Sequence, residues 1–421
     1  MNDWTRRDVL AMLGAAAVTP LARSAWRGPG RDPAGPGFRI RTITAGTTLR
    51  GPADAEPLHA ALAFLKSAKR AVAEAGYEVQ TLRIATQPFL EDAASRARAD
   101  ALPALQALDR AVAAEGVLVS IGPVLAPDGD DPDFPAWAAE LARTTHNTSF
   151  TARVASPERG ASPRGVTAAG EAMVAIARAT AGGIGNFRFA AAANVAAGTP
   201  FFPVAYHSGS DAVAIGLESP PLLSAAFAGA NTLADAKQRL TQSLESRLGP
   251  LERLMRSVAH QDERAYLGID VSPAPGKDAS IGEAIEVLTG VPFGSASTLA
   301  GCAAITDVLK SLRLKTCGYS GLMLPVLEDP VLAQRATEGR FSVRELLLYS
   351  SVCGTGLDVV PLPGDTPADR LAGLIVDVAA LSTKLRKPLA ARLFPVPGKA
   401  AGDLVHYDDP YLTDCAVMKL E

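Results

Sequence analysis

Ser351-Val352-Cys353-Gly354-Thr355-Gly356-Leu357-Asp358-Val359-Val360-Pro361-Leu362-Pro363-Gly364-Asp365 packs a thiol, two carboxylates, three glycines and two prolines into fifteen residues. It follows an apolar helix-like run, Val343 to Tyr349, and precedes a helix that Thr366 or Asp369 is placed to cap. Gly354 and Gly356 let the backbone turn and approach a ligand, and Pro361 and Pro363 stiffen the exit. Two readings stand: a rigid loop presenting Cys353, Asp358 and Asp365 for chemistry, or a tight structural turn around a buried cysteine.

Working outward, apolar strand-like and amphipathic helix-like stretches alternate. Phe38–Thr44, Glu78–Thr86, Gly116–Ile121, Phe150–Val154, Asn186–Asn194, Ala212–Leu217, Ala265–Val271, Gly318–Pro325 and Lys387–Pro395 read as strands. Pro57–Ala75, Leu90–Ala114, Val166–Ala181, Leu222–Leu254, Thr298–Leu312 and Asp369–Leu385 read as helices. This rhythm predicts a layered or barrel α/β fold, and with no second linker, residues 38–421 read as one domain.

Composition limits the partners. The chain has 421 residues, 48% of them hydrophobic, with a net charge of −3, so it has ample core and no basic surface for nucleic acid. Aromatic residues make up 5%, too few for a base-stacking platform. The four cysteines, Cys302, Cys317, Cys353 and Cys415, show no zinc-ligand spacing. Phosphate-loop, dinucleotide, zinc-protease and nucleophile-elbow patterns are absent.

The N-terminus carries its own signal. Thr5-Arg6-Arg7-Asp8-Val9-Leu10 precedes a short apolar run to Ala22, the layout of a twin-arginine export signal over residues 1–25. No clean Ala-x-Ala cleavage site follows, so an uncleaved anchor stays open alongside a released periplasmic form, and 26–37 reads as a linker. Lysine at both Arg6 and Arg7 should hold the protein in the cytoplasm if the twin-arginine export machinery is its partner.

Polar residues stand at the ends of the apolar strands. Asn194, His207, Asp270, Asp358 and Asp365 occupy such positions, and Arg392 lies in the last strand. Asp358 and Asp365 could hold a divalent cation or act as acid and base, and Cys353 could be a nucleophile with His207 as its partner. Arg392 is expected to clamp an anionic group, and the small residues Ala190–Ala193 to leave room for a ligand.

The chain resembles the family called domain of unknown function 711. The matching stretches are Asn186-Phe187-Arg188-Phe189, Pro200-Phe201-Phe202-Pro203, Gly268-Ile269-Asp270, Ser320 to Asp329, Cys353 to Asp358, Pro363-Gly364-Asp365 and Pro395 to Lys399. The resemblance implies a single α/β barrel of about ten strands, similar to that of the glycyl-radical enzymes, with the Cys353 loop entering its centre. Radical chemistry is not implied, because Lys399–Leu404 lacks the glycyl-radical motif. The expectation is a non-radical lyase, hydrolase or isomerase for a small polar or anionic metabolite, or else a periplasmic binding protein without catalysis. Cys353, Asp358, His207 and Asp270 are the catalytic candidates. Arg188, Asn194, Gly354, Gly356, Asp365 and Arg392 are the substrate-binding ones. Asn194, His207, Asp270, Cys353, Asp358 and Arg392 are expected to share one cavity. A homo-oligomer is left open.

Overall fold

Strands β1 (Arg39–Thr47), β2 (Val79–Thr86), β3 (Val117–Leu125), β4 (Thr148–Ser156), β5 (Gly160–Ala161), β6 (Phe189–Ala193), β7 (Ala212–Glu218), β8 (Ala265–Pro273), β9 (Gly356–Pro363), β10 (Leu389–Val396), β11 (Leu404–Val405) and β12 (Cys415–Ala416) alternate with helices through most of the chain. The computed structural model describes residues 37–129 and 131–420, so the expected signal at 1–25 lies outside the described residues. The main sheet runs β8-β7-β1-β2-β3-β4-β6-β10-β9, with β5 paired to β4. Along that order neighbours are parallel except at two seams, β1 with β7 and β6 with β10, which are antiparallel, as is the short β4–β5 pair off it. Two parallel blocks therefore run in opposite directions, each built from strand–helix–strand crossovers.

The crossover helices form because apolar residues recur at helical spacing. In Ala55–Glu74 the buried set is Leu58, Ala61, Leu62, Phe64, Leu65, Ala68 and Val72, a stripe laid on the sheet. Their starts are chemically marked. Ser162, Thr232 and Ser280 each accept a backbone N–H, and Ser342 with Glu345 closes a capping box. Each such cap contributes about 1 kcal/mol.

One segment meets both ends of the sheet. Against β8, the Ile269 N–H donates to the Lys315 carbonyl (2.9 Å) and the Cys317 N–H donates to the Ile269 carbonyl (3.2 Å). Against β9, the N–H groups of Val326 and Leu327 donate to the carbonyls of Asp358 (3.1 Å) and Val359 (3.3 Å). Residues 315–327 thus close the ring of strands with isolated parallel bridges at Thr316 and Pro325. The strand expected over Gly318–Pro325 does not form. Gly318 (φ +61°) and Ser320 (φ +40°) turn the chain out of an extended path. Likewise the strand expected over Asn186–Asn194 begins only at Phe189, because Ala181–Arg188 coils as a 3-10 helix.

The alternation of strand side chains separates an outer core from the interior. Ala191 and Ala193 join the large cluster under the helices, whereas Ala190 and Ala192 pack inside with Val204, Tyr319 and Ala390. The loop that fills the interior is not the one expected. The segment after β6 crosses the inner faces of β1 to β3. Thr44 Oγ1 donates to the Pro200 carbonyl (3.0 Å), and Ser120 Oγ donates to the carbonyls of Pro203 (3.1 Å) and Ala205 (2.7 Å). Cys353 instead belongs to the outer core with Cys302, where its N–H closes the end of helix Val343–Tyr349 on the Tyr349 carbonyl (2.8 Å).

Candidate functional site

Between β9 and β10 the register slips. Leu357 faces Ala391 and Val360 faces Leu393, so Asp358 and Val359 together oppose the single residue Arg392. Such a bulge re-aims side chains, and here it sets Asp358 beside Arg392. Val359 is fully buried at φ +46°, a conformation that costs a β-branched residue roughly 1–2 kcal/mol. The closing segment holds it there, using the carbonyls of both bulge residues before delivering Glu328 to the same place.

The ion network is directional. Arg392 donates from Nε to Asp358 Oδ1 (2.7 Å) and from Nη2 to Glu328 Oε1 (2.6 Å), with Nη2 also 2.6 Å from Asp358 Oδ1 as an ion pair. Its Nη1 donates to the Phe187 carbonyl (3.4 Å). Arg41 takes the other Glu328 oxygen, Oε2 (3.2 Å), and lies 3.5 Å from Glu218 Oε2. Both Glu328 oxygens are thereby occupied. Asp358 is held end-on, and among the described residues no group donates to its Oδ2. Burial pushes the Asp358 carboxyl above its ordinary range; Arg392 opposes the rise and Glu328 adds to it.

These residues line a cavity of about 350 Å³. Arg41, Arg83, Arg188 and Arg392 lie on its wall with Glu328 and Asp358, and Phe187, Phe201, Phe202 and Met323 supply apolar surface. Arg188 is occupied with structure. It donates to the carbonyls of Ala142 (2.6 Å) and Thr148 (3.0 Å) and to Thr145 Oγ1 (3.1 Å), tying down the end of helix Phe134–Thr144. Arg83 differs. It is 7% exposed, donates only to the Thr81 hydroxyl (3.2 Å), and rests 4.9 Å from the Phe202 ring centre. No carboxylate among the described residues pairs with it. Burial, with Arg41 adding to it, pulls its pKa down to about 9. Tyr411, from the C-terminal segment, covers Arg41 at 4.3 Å and lines the same cavity.

Of the six residues expected on one cavity, Asp358 and Arg392 meet there. Cys353 lines a separate cavity of about 330 Å³ with Lys310, Tyr319 and Lys387, where Lys387 Nζ donates to the carbonyls of Ser351 (2.9 Å) and Cys353 (2.6 Å). Asn194, His207 and Asp270 line neither cavity. Asn194 Nδ2 donates to Ser382 Oγ (3.0 Å), a tie to helix Ala368–Leu385. His207 is buried against Gly46 with its Nε2 3.1 Å from the Gly209 carbonyl, and burial lowers its pKa. It therefore does not serve Cys353 as a base within one site. Asp270 accepts from Tyr319, Ser320 and Ser272 and so fixes the closing segment.

Gly354 packs on Gly321 and Gly356 on the Ala390 carbonyl, so both are close approaches of backbone to backbone. Asp365 is exposed in the turn after β9, so it shares no site with buried Asp358 and the two do not form a joint cation site. Among the described residues no group of three or more His, Cys, Asp or Glu is arranged to hold a metal. Arg392 was expected to clamp a ligand carboxylate, but its donors are committed to Asp358, Glu328 and Phe187.

A family model described as uncharacterised ACR (DUF711) matches residues 36–408. The chain belongs to the DUF711 family. It is similar to a UPF0210 protein of Neisseria meningitidis serogroup C, 28% identical over 88% of each chain. A UPF0210 protein of Oleidesulfovibrio alaskensis is 29% identical over 79% of this chain and 77% of its own. One from Pyrobaculum islandicum is 34% identical over 63% of this chain and 60% of its own. The match covers 51% of a second archaeal relative, from Pyrobaculum arsenaticum, so against these archaeal proteins the similarity reaches about half to three-fifths of their length.

Sequence reading passed over Arg83, Arg41 and Glu328 as site residues. A signal was present for Arg83, which stands between Leu82 and Ile84, because a charge inside a strand buried on both faces must find a polar lining; Arg41, between Ile40 and Thr42, gave a weaker one. Glu328 sits in an irregular segment, and only the folded ring brings it to Arg392.

Proposed function

We propose that this DUF711 protein is a non-radical enzyme acting on a small anionic metabolite, with Arg83 taking the anionic group and Asp358 moving a proton. The observation that carries the reading is an Arg83 guanidinium without a paired carboxylate on the wall of the cavity that an end-on Asp358 also lines. A buried cation without a carboxylate partner is costly to the free protein, and an anionic ligand removes that cost. Among the described residues no group donates to Asp358 Oδ2, and a buried carboxyl with a raised pKa is suited to accept and return a proton. That chemistry suits a lyase, hydrolase or isomerase. Its place of work outside the cytoplasm is proposed from the Arg6-Arg7 segment.

The test uses inorganic phosphate, propionate and succinate as probes of thermal unfolding. Wild type should be stabilised by at least one of them, by about 2.7 kcal/mol at a hundredfold excess over Kd. Arg83→Met should fold at least as stably without anion and lose that gain. Equal stabilisation of both proteins would remove Arg83 from the site. A binding protein without turnover is the second reading, favoured by the mutual pairing of Arg392, Glu328 and Arg41. Asp358→Asn separates the two: an enzyme loses about 10²–10⁴ in turnover and keeps the ligand, whereas a pure binding site has no turnover to lose.

A further inference from the structure

Next to this cavity lies a small inner chamber of about 30 Å³. The two spaces share Phe201, Phe202, Met323, Asp358 and Arg392, so the ion pair borders both. The chamber is walled by Ala190, Ala390, Val204, Tyr319 and Thr355. Its size follows from the sequence, because the inward positions of β6 and β10 at this level are alanines, and a larger side chain at either would occupy the space. A volume of this order holds one small polar group and no more.

Two of the residues that line this space, Thr355 and Asp358, each carry a polar atom with no protein partner among the described residues. Thr355 is 3% exposed, and its Oγ1 is buried with no hydrogen-bond partner. Asp358 Oδ2 receives no donor among the described residues, because Arg392 meets the carboxylate through Oδ1. A buried hydroxyl without a partner costs about 1–3 kcal/mol, a cost that a ligand partner would remove. Thr355 Oγ1 can donate or accept, and the carboxylate oxygen accepts. A ligand hydroxyl, which both donates and accepts, completes both at once: it donates to Asp358 Oδ2 and accepts from Thr355 Oγ1.

We infer that the inner chamber is a specificity subsite for a hydroxyl group, and that the ligand is a short hydroxy-acid whose anionic end lies at Arg83. This deepens the reading above and rests on it. The preference arises because a site that hydrogen-bonds a hydroxyl leaves buried groups unpaired when an analogue lacks it. Ala190 and Ala390 bar branched or longer substituents from the same position.

The experiment compares lactate with propionate, and malate with succinate, by thermal unfolding of wild type, Thr355→Val, Thr355→Ser and Arg83→Met. Wild type should bind at least one hydroxy-acid about tenfold or more tighter than its parent acid. Thr355→Val should bring the two acids of that pair to equal affinity, and Thr355→Ser, which retains the hydroxyl, should keep them apart. Arg83→Met should lose both acids. If wild type binds acids but does not distinguish either pair, or if Thr355→Val distinguishes as wild type does, the hydroxyl subsite is wrong while the Arg83 site stands. If none of the four acids stabilises wild type, the Arg83 site falls and takes the subsite with it.

Discussion

The closing segment meets the two ends of the sheet at two buried aspartates, and they are used in opposite ways. At the β8 edge, Asp270 accepts from Ser272 N–H (3.1 Å), Ser272 Oγ (2.6 Å), Ser320 N–H (2.9 Å) and Tyr319 N–H (2.8 Å). Both of its oxygens are spent on neutral donors, and a Cβ at Gly318 would lie 2.2 Å from one of them. At the β9 edge, Asp358 receives a single arginine on one oxygen, has no donor among the described residues on the other, and lines the cavity. Burial raises the pKa of both carboxyls. A raised pKa therefore does not separate a structural carboxyl from a working one here. What separates them is whether an oxygen remains unspent beside a space that admits a ligand.

Removing the charge partner should break the β9 side hardest. Arg392→Met leaves Asp358 and Glu328 buried beside one another without the cation that joins them. Loss of one member of a buried ion network costs about 3–5 kcal/mol, read as a lowered urea midpoint at neutral pH. Part of that loss should return on acidification, as the stranded carboxyls take up protons. A cost under about 1 kcal/mol would mean the network is solvated, and the low-dielectric argument for Asp358 would go with it.

The β8 side should yield less, and with a distinct pH signature. Asp270→Asn keeps one acceptor but sets an amide N–H against backbone donors, for a cost of roughly 1–3 kcal/mol. The native Asp270 pKa is raised by burial. Its contribution to stability is therefore complete below the ordinary carboxylate pKa and is lost as pH rises through the native value. The asparagine has no such loss. The gap in melting temperature between wild type and variant should be widest near pH 4 and should narrow toward pH 7. A gap that widens with pH would show that Asp270 is preferentially ionised in the fold, opposite to the direction its burial dictates.

The sequence made the frame legible and the site only in part. Helix stripes such as Leu58, Leu62, Leu65 and Val72 and strand runs such as Ala212–Leu217 are local patterns, and they appear as elements where the periodicity puts them. Asp358 and Arg392 were singled out because strand ends and inward strand positions collect polar groups. Their pairing depends on a one-residue slip between β9 and β10, which no local pattern encodes. Arg83 escaped notice for a related reason: an arginine within a strand reads as a solvated face until ring closure turns that face inward. Gly318–Pro325 read as a strand because its residues are small and apolar, yet the positive φ at Gly318 and Ser320 is set by Asp270 some fifty residues earlier in the chain. Cys353 drew attention through its glycine-rich surroundings, which serve the contacts of Gly354 with Gly321 and of Gly356 with Ala390.

The smallest expected effect is the most diagnostic for the comparison. Thr355→Val exchanges a hydroxyl for a methyl of nearly the same shape inside the chamber. At Asp270 every polar atom is satisfied, so truncation there can only destabilise. At Thr355 the Oγ1 has no protein partner to lose. Replacing it removes an uncompensated buried polar atom and adds apolar contact with Ala190 and Ala390, so the free protein should be unchanged or more stable by up to about 1 kcal/mol. Equilibrium urea unfolding without added anions measures this directly. A loss of more than about 1 kcal/mol would mean that the hydroxyl is already bonded in the folded chain, as the Asp270 oxygens are. The two ends of the sheet would then be alike, both closed by structure, and the chamber would have no unpaired group to offer a ligand.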